Sequence, residues 1–311
     1  MKLSTTIACD SSGDVIKLFR MCYEAGFRNF DVPICPLSYG GWSSILEDGE
    51  GWKRDVEKIG NLQAELGFNM CQAHSAMLDI YASEEKRNIV NRAILRSFEA
   101  CEMLNIPMTV VHGINFWKEA NNPDIEKFYK CNREFYLPLC EEAAKHNVEV
   151  LTENFGRDCK GYFATTGKLI ADFLDYCGAD NLFVCWDTGH ANICSDENTN
   201  QYEDIMAIGD RLHALHIHDG WGNQDCHAIP FSGTVNFDRV IRALIDTGYK
   251  GTFNFEASDT FINSGDYRRK RRAIAPGERL ADPPMFIFGK YFELLFEMGK
   301  WMLSEYNLYE D

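Results

Sequence analysis

The sequence predicts a single (β/α)8 barrel, an α/β fold. Three observations predict it. Short runs rich in Val, Ile, Phe, Leu and Thr recur along the 311 residues. Segments of helical period fill the intervals between them. Metal-ligand and acid/base residues stand where run after run ends. The runs fall at 4–9, 29–34, 69–75, 108–113, 149–155, 182–187, 214–219 and 252–257. Their apolar character is that of parallel strands buried on both faces, and their spacing leaves room for a helix and two loops each time. Alternation of this kind gives an α/β protein. A closed barrel fits better than an open sheet, because an open sheet gathers its functional residues at one switch point. No glycine-rich phosphate loop of either common type is present. One domain, 1–311, is expected, with no internal repeat beyond the βα rhythm.

Each element has its own signal. The start, Met1-Lys2-Leu3-Ser4-Thr5-Thr6-Ile7, reads as the first strand, since Asp10 arrives before an apolar signal core can develop. In 88–104, Val90, Ile94, Phe98, Cys101 and Leu104 share one helical face, with Arg92, Arg96, Glu99 and Glu102 turned away. Segment 124–146 is similarly amphipathic and stops at His146-Asn147. Gly26, Gly67, Gly178 and Gly248 follow predicted helices at the C-terminal capping position. Residues 285–305 form the closing helix. Between them and the last strand lies a long loop, 259–284, with a basic run (Arg268, Arg269, Lys270, Arg271, Arg272) and then Pro276-Gly277 and Pro283-Pro284. A loop of that length in a compact domain is expected to serve as a lid or an interface arm.

Bulk properties narrow the function. Apolar residues make up 45% of the chain, yet no run is long enough to span a bilayer, so no membrane partner is expected. The twelve cysteines never form a Cys-x-x-Cys pair, and Cys71, Cys101 and Cys185 lie inside predicted elements, where a reduced thiol packs as a small hydrophobe. A reducing cytoplasm is the expected location. The net charge of −16, from 31 basic and 47 acidic residues, disfavours nucleic acid as a partner.

Four strand ends carry the chemistry: Leu151-Thr152-Glu153, Cys185-Trp186-Asp187, Leu215-His216 and Phe255-Glu256. The active sites of such barrels lie at the C-terminal ends of the strands. These four come from consecutive predicted strands, so their side chains can converge. Three carboxylates brought together repel unless a cation joins them. A divalent ion held by Glu153, Asp187, His216 and Glu256 resolves that conflict. The oxygen-rich set favours Mn²⁺, Mg²⁺ or Co²⁺, and the imidazole keeps Zn²⁺ in contention. More histidines follow the same rule. His74 and His112 end strands three and four and are candidates for binding substrate or another ion. His190, three residues after Asp187, is a candidate for a direct catalytic role. His218 shares a strand with His216 and is either a substrate contact or a structural hydrogen bond. Asp225 and His227 have spacing for a second ion. Trp117 and Trp221 are candidate apolar platforms for a substrate.

These motifs resemble one superfamily. Ala73-His74-Ser75, Val111-His112-Gly113, Thr152-Glu153-Asn154, Asp187-Thr188-Gly189-His190, His216-Ile217-His218-Asp219, Asp225-Cys226-His227 with Pro230, and Phe255-Glu256-Ala257 are similar to those of the xylose isomerase-like TIM barrels. That branch holds sugar and sugar phosphate isomerases and epimerases together with the family 2 AP endonucleases. The resemblance implies a metal held by the four strand-end residues, with Mn²⁺ the foremost candidate. It implies Glu153 and Glu256 as an acid/base pair on a small-molecule sugar, with His190 orienting a substrate oxygen. It also implies association into homo-oligomers. One position departs: Gly222 stands where related ketose 3-epimerases carry an arginine. Lyase or dehydratase chemistry on a keto-sugar is a close variant. Two other classes remain. One is a multi-metal phosphodiesterase of the AP endonuclease type, whose nine ligand positions all have counterparts here. The other is a barrel that serves as a subunit or binding module.

Overall fold

Eight parallel strands form the barrel: β1 (Leu3–Thr6), β2 (Asn29–Pro33), β3 (Asn69–His74), β4 (Met108–Val110), β5 (Glu149–Glu153), β6 (Leu182–Asp187), β7 (Leu212–His216) and β8 (Phe253–Phe255). They pair in the order β7-β6-β5-β4-β3-β2-β1-β8. The ring closes between its end strands through one parallel bridge, Ile217 with Phe255. There the Ile217 N–H donates to Asn254 O at 2.8 Å and the Glu256 N–H to Ile217 O at 3.1 Å. The computed structural model describes residues 1–7, 15–34, 43–119, 124–156, 164–194, 200–257 and 284–311. The predicted lid or interface arm, 259–284, lies almost wholly outside the described residues.

The helices are α1 (Val15–Glu24), α2 (Lys53–Leu66), α3 (Glu84–Leu104), α4 (Ile125–Lys145), α5 (Gly167–Cys177), α6 (Thr188–Cys194), α7 (Gln201–Ile208), α8 (Phe237–Asp246) and α9 (Met285–Ser304). Their ends follow local chemistry. Ser83, Asp124, Thr166 and Asn236 cap α3, α4, α5 and α8 by accepting the backbone N–H three residues on, each worth about 1 kcal/mol. Gly26, Gly67, Gly178 and Gly248 all take positive φ after the helices they end, as expected, and Asn147 does so after α4, at φ 56°. Ile94, Phe98, Cys101 and Leu104 form the buried face of α3, with Val90 half-buried at its edge.

Two apolar regions result. The larger lies between sheet and helices and includes the Phe19–Phe68 stack at 5.1 Å and the edge-on Phe19–Phe30 pair at 5.3 Å. A second, separate cluster joins Val110, Leu151, Cys185 and Ala214 on β4 to β7, inside the ring. Strand side chains alternate with period two. The same inward face therefore presents His112, Glu153, Asp187 and His216 two residues later, at the C-terminal mouth. The wall built from β1, β2, β3 and β8 differs. Its interior holds Thr6, Asp31, Gln72 and Asn254, all buried. At the N-terminal end a cavity of about 830 Å³ opens, lined in part by Asn29, Asn69, Cys71, Gln72, His213 and Tyr249. It gathers no cluster of metal-binding side chains among the described residues.

Candidate metal centre and its surroundings

Glu153, Asp187 and His216 are the last residues of β5, β6 and β7, and Glu256 follows β8 directly. Parallel register sets Glu153 beside Cys185 and Asp187 beside His216. The four side chains converge at the mouth, each with a donor atom within 4.8 Å of the others. His216 Nδ1 lies 2.9 Å from Glu153 Oε1 and 3.3 Å from Glu256 Oε2. Glu153, Asp187 and His216 are buried, while the Glu256 side chain keeps 15% of its surface exposed. The asymmetry leaves Glu256 as the member of the set that meets incoming solvent.

A second cluster adjoins the first. Asp225 Oδ2 lies 3.3 Å from His190 Nε2 and 3.2 Å from His227 Nε2. His218 Nε2 lies 2.9 Å from Asp187 Oδ2 and 4.0 Å from Asp225 Oδ1, so it bridges the two groups. Its ring stacks on His227 at 4.2 Å. His190 sits on α6, where its N–H donates to Asp187 Oδ1 at 2.6 Å and its Nδ1 meets Asn154 O at 2.8 Å. The loop that carries His218, Asp225 and His227 is folded back by Asp219, whose carboxylate accepts from the N–H groups of Gly220, Gly233 and Val235 at 2.8, 2.8 and 3.0 Å. Gly189 packs tightly beside it, since a Cβ there would fall 1.8 Å from His218 Cε1.

A third group completes the ring. His112 Nε2 and His74 Nε2 stand 3.4 and 3.6 Å from Glu153 Oε2, a buried oxygen with no hydrogen-bond partner. His112, His74 and His216 follow one another as stacked rings, 5.6 and then 4.5 Å apart. Among the described residues, the ion-pair partners of Asp31, Glu153, Asp187, Asp225 and Glu256 are all imidazoles. Charge follows from this. Burial opposes the charge on His190, but Asp187 and Asp225 push it up to about 10. Burial dominates at His112 and lowers it to about 4. Burial also opposes ionisation of Glu153, yet His216 and His112 hold its carboxyl well below the usual range. Three acidic side chains and an imidazole aimed at one point, with an orphaned buried oxygen among them, fit a divalent ion.

The expected residues thus converge, with two qualifications of place. Trp221 stands on the loop after β7 and is 54% exposed. Trp117 belongs to a short 3₁₀ turn, Trp117–Glu119, and its side chain lies outside the described structure. Gly222 has φ 73°, a left-handed conformation that favours glycine over residues with a side chain. Asn154 and Asp31 were not singled out from sequence. Asn154 clamps the neighbouring strand, donating to Asp187 O at 2.8 Å and accepting the Asp187 N–H at 2.7 Å. Asp31 lies wholly buried beneath the centre. The signal for both was a polar residue inside or just beyond a buried strand, which demands a partner.

Comparison with known proteins gives a family and several relatives. A family model described as xylose isomerase-like TIM barrel matches residues 19–276. The protein y4fM of Sinorhizobium fredii, whose name assigns no activity, is 31% identical over 278 residues, 82% of this chain and 75% of its own. A D-psicose 3-epimerase of Enterocloster bolteae is 34% identical over 92 residues, 30% of this chain and 28% of its own. Among solved structures, the 3-keto-D-glucoside 4-epimerase YcjR of E. coli superposes with a TM-score of 0.67 at 18% identity, covering 96% of this chain and 99% of that one.

Proposed function

The chain belongs to the xylose isomerase-like TIM-barrel family, and we propose that it is a divalent-metal-dependent isomerase or epimerase of a sugar or sugar derivative. The observation that carries this is the convergence of Glu153, Asp187, His216 and Glu256 from four consecutive strands, with donor atoms within 4.8 Å of one another. The epimerase names of D-psicose 3-epimerase and YcjR support the reaction class. Glu153, Asp187, His216 and Glu256 would hold the ion; the oxygen-rich set suits Mn²⁺, Mg²⁺ or Co²⁺ and the imidazole admits Zn²⁺, with Mn²⁺ the foremost candidate because the motifs resemble those of the sugar isomerases and epimerases. The ion would supply positive charge beside the substrate carbonyl and so lower the cost of the enediolate left by proton removal.

The chain's own residues supply the proton chemistry. Glu153 and Glu256 act as the base and acid of a proton transfer next to the carbonyl, one removing and the other returning it. Glu153 Oε2 makes no hydrogen bond and faces His112 and His74 Nε2 at 3.4 and 3.6 Å. His190, held by Asn154 O at 2.8 Å, orients a substrate oxygen. His74, His112 and His218 line the deeper mouth, and Trp117 and Trp221 offer apolar faces to a sugar ring. Asp225 and His227 would hold a second ion, Asp225 Oδ2 lying 3.2 Å from His227 Nε2. A reducing cytoplasm suits cysteines such as Cys22, Cys101 and Cys185, which are buried as free thiols. No described helix is long and apolar enough to cross a membrane.

The test is exchange of solvent deuterium into candidate ketoses by the Mn²⁺-loaded protein. Exchange should occur and vanish in Glu153→Gln and Glu256→Gln. Full exchange in both variants, with metal binding unchanged, overturns the mechanism. Elimination of water from the exchanged sugar would mark the lyase variant.

One observation favours a second reading, a multi-metal phosphodiesterase: the cluster of His190, His218, Asp225 and His227 lies beside the first centre. The net charge of −16 opposes it. Cleavage of an abasic-site duplex by the metal-loaded protein, without proton exchange into ketoses, would select it.

A further inference from the structure

The interior of a (β/α)8 barrel is ordinarily filled by branched apolar side chains in layers. Val110, Leu151, Cys185 and Ala214 follow that rule on one wall. Asp31, fully buried on β2, breaks it on the other. Three neutral donors from three other strands meet its Oδ2: Thr6 Oγ1 at 2.9 Å, Gln72 Nε2 at 3.3 Å and Asn254 Nδ2 at 3.4 Å. The same oxygen lies 3.2 Å from His216 Nε2 and 3.4 Å from His74 Nδ1. A buried carboxylate is costly, and replacing buried charge with apolar packing is often neutral or stabilising. An anion assembled from four strands in the barrel interior therefore calls for a role beyond packing.

His216 supplies it. Its Nδ1 faces Glu153 and Glu256, at 2.9 and 3.3 Å, and this is the nitrogen turned toward the proposed ion. A histidine that binds metal through Nδ1 must carry its proton on Nε2, and that proton needs an acceptor. Two groups approach Nε2. Asp31 Oδ2 at 3.2 Å is such an acceptor. The Gln72 amide nitrogen, at 3.1 Å, is a donor and favours the opposite tautomer, with the proton on Nδ1. A charge-assisted contact outweighs a neutral one, so the carboxylate decides.

We propose that Asp31 is a positioning residue: it holds the proton of His216 on Nε2 and thereby presents Nδ1 as a metal ligand. Gln72 lines the cavity at the N-terminal end of the barrel while its amide reaches His216. The Asp31–Gln72 layer is thus the floor of the metal centre. The proposal rests on the four-residue ion site proposed above.

The experiment titrates Mn²⁺ and Zn²⁺ into metal-free wild type, Asp31→Asn and Gln72→Met, reading affinity and ions bound at saturation. Asp31→Asn keeps the shape and removes the anion. It should weaken binding at the four-residue site about 10- to 100-fold, the usual cost of losing such an outer partner. Gln72→Met, which removes the opposing donor, should not weaken it. Equal affinities for wild type and Asp31→Asn overturn the proposal, as does equal weakening in both variants, which would make the layer simple packing. Loss of one bound ion at saturation would make Asp31 itself a ligand and also overturn it. Should Asp31→Asn fail to fold, long-range ¹H–¹⁵N spectra of the Zn²⁺-loaded wild type decide: a proton on His216 Nε2 supports the proposal, and one on Nδ1 ends it. Failure of wild type to bind any divalent ion defeats the ion site itself, a result distinct from all of these.

Discussion

Replacing Gly189 with alanine tests the packing of the centre without removing a polar group. The added methyl would fall 1.8, 2.3 and 2.6 Å from His218 Cε1, Nδ1 and Nε2. Relaxed carbon contacts need about 3.5 Å, so the ring must retreat by roughly 1.5–2 Å. That breaks its 2.9 Å contact with Asp187 Oδ2 and its 4.2 Å stack on His227. Overpacking a rigid interior costs about 1–3 kcal/mol, and leaving a buried polar partner unpaired adds about 1–3 kcal/mol. Alanine returns about 1 kcal/mol of helix propensity in α6. The net is about 3 kcal/mol, a fall in Tm of about 5 °C for a chain of this length. Thermal unfolding followed by circular dichroism in the presence of EDTA measures it. Gly60→Ala is the control. It lies within α2, where a Cβ would meet only Leu104 Cδ2 at 3.5 Å, and it should stabilise. In a His218→Ala background the Gly189→Ala cost should largely disappear. An unchanged Tm for Gly189→Ala, or an equal loss in both backgrounds, refutes the reasoning.

Other expectations follow from the same contacts. Asn154→Ala removes both hydrogen bonds to the Asp187 main chain and should cost about 2–4 kcal/mol in urea unfolding, with weaker divalent binding. Burial pushes the Asp204 carboxyl up from its usual 3.8 to about 6, against the lowering hydrogen bond from the Gly167 N–H. A raised folded-state pKa gives stability that is complete below pH 3.8 and lost as pH rises through about 6, at most about 3 kcal/mol. Asp204→Asn keeps the acceptor for Gly167. It should therefore be the more stable protein at pH 7.5, with the gap closing toward pH 4 in parallel urea titrations. Chelation should lower the Tm of the metal-loaded protein by the equivalent of about 3 kcal/mol at a hundredfold excess over Kd, and Asp187→Asn should be nearly indifferent to it.

The barrel was legible because buried parallel strands and amphipathic helices leave different periods in the chain. The strand at 182–187 appears with its expected bounds, and α3 and α4 end where Leu104 and His146-Asn147 signalled. Strand ends were less legible: β4 stops at Val110 and β8 at Phe255, short of the expected 113 and 257, because the regular ladder ends there and only single backbone bonds, from the Val111 and Glu256 N–H groups, carry on toward the mouth. The metal centre was legible for a related reason. An acidic or imidazole side chain after an apolar run is conspicuous, and Glu153, Asp187, His216 and Glu256 each have that context. Asp31 does not. It sits within Asn29-Phe30-Asp31-Val32-Pro33, and its importance depends on Thr6, Gln72, His216 and Asn254, which are remote in sequence. Partnerships across the barrel interior are set by register and tilt, and a linear pattern carries neither.

The single bridge between Ile217 and Phe255 makes the barrel a wound strip with a clasp. His216 stands on one jaw and Glu256 on the other, 3.3 Å apart. Whatever joins those two side chains also fastens the ends of the strip. Local opening should begin at this seam, because the fewest backbone bonds resist it. The amides of Ile217 and Glu256 are then the natural reporters of occupancy. Their hydrogen exchange should slow when the centre is filled, while that of the continuous β5–β6 ladder stays nearly constant.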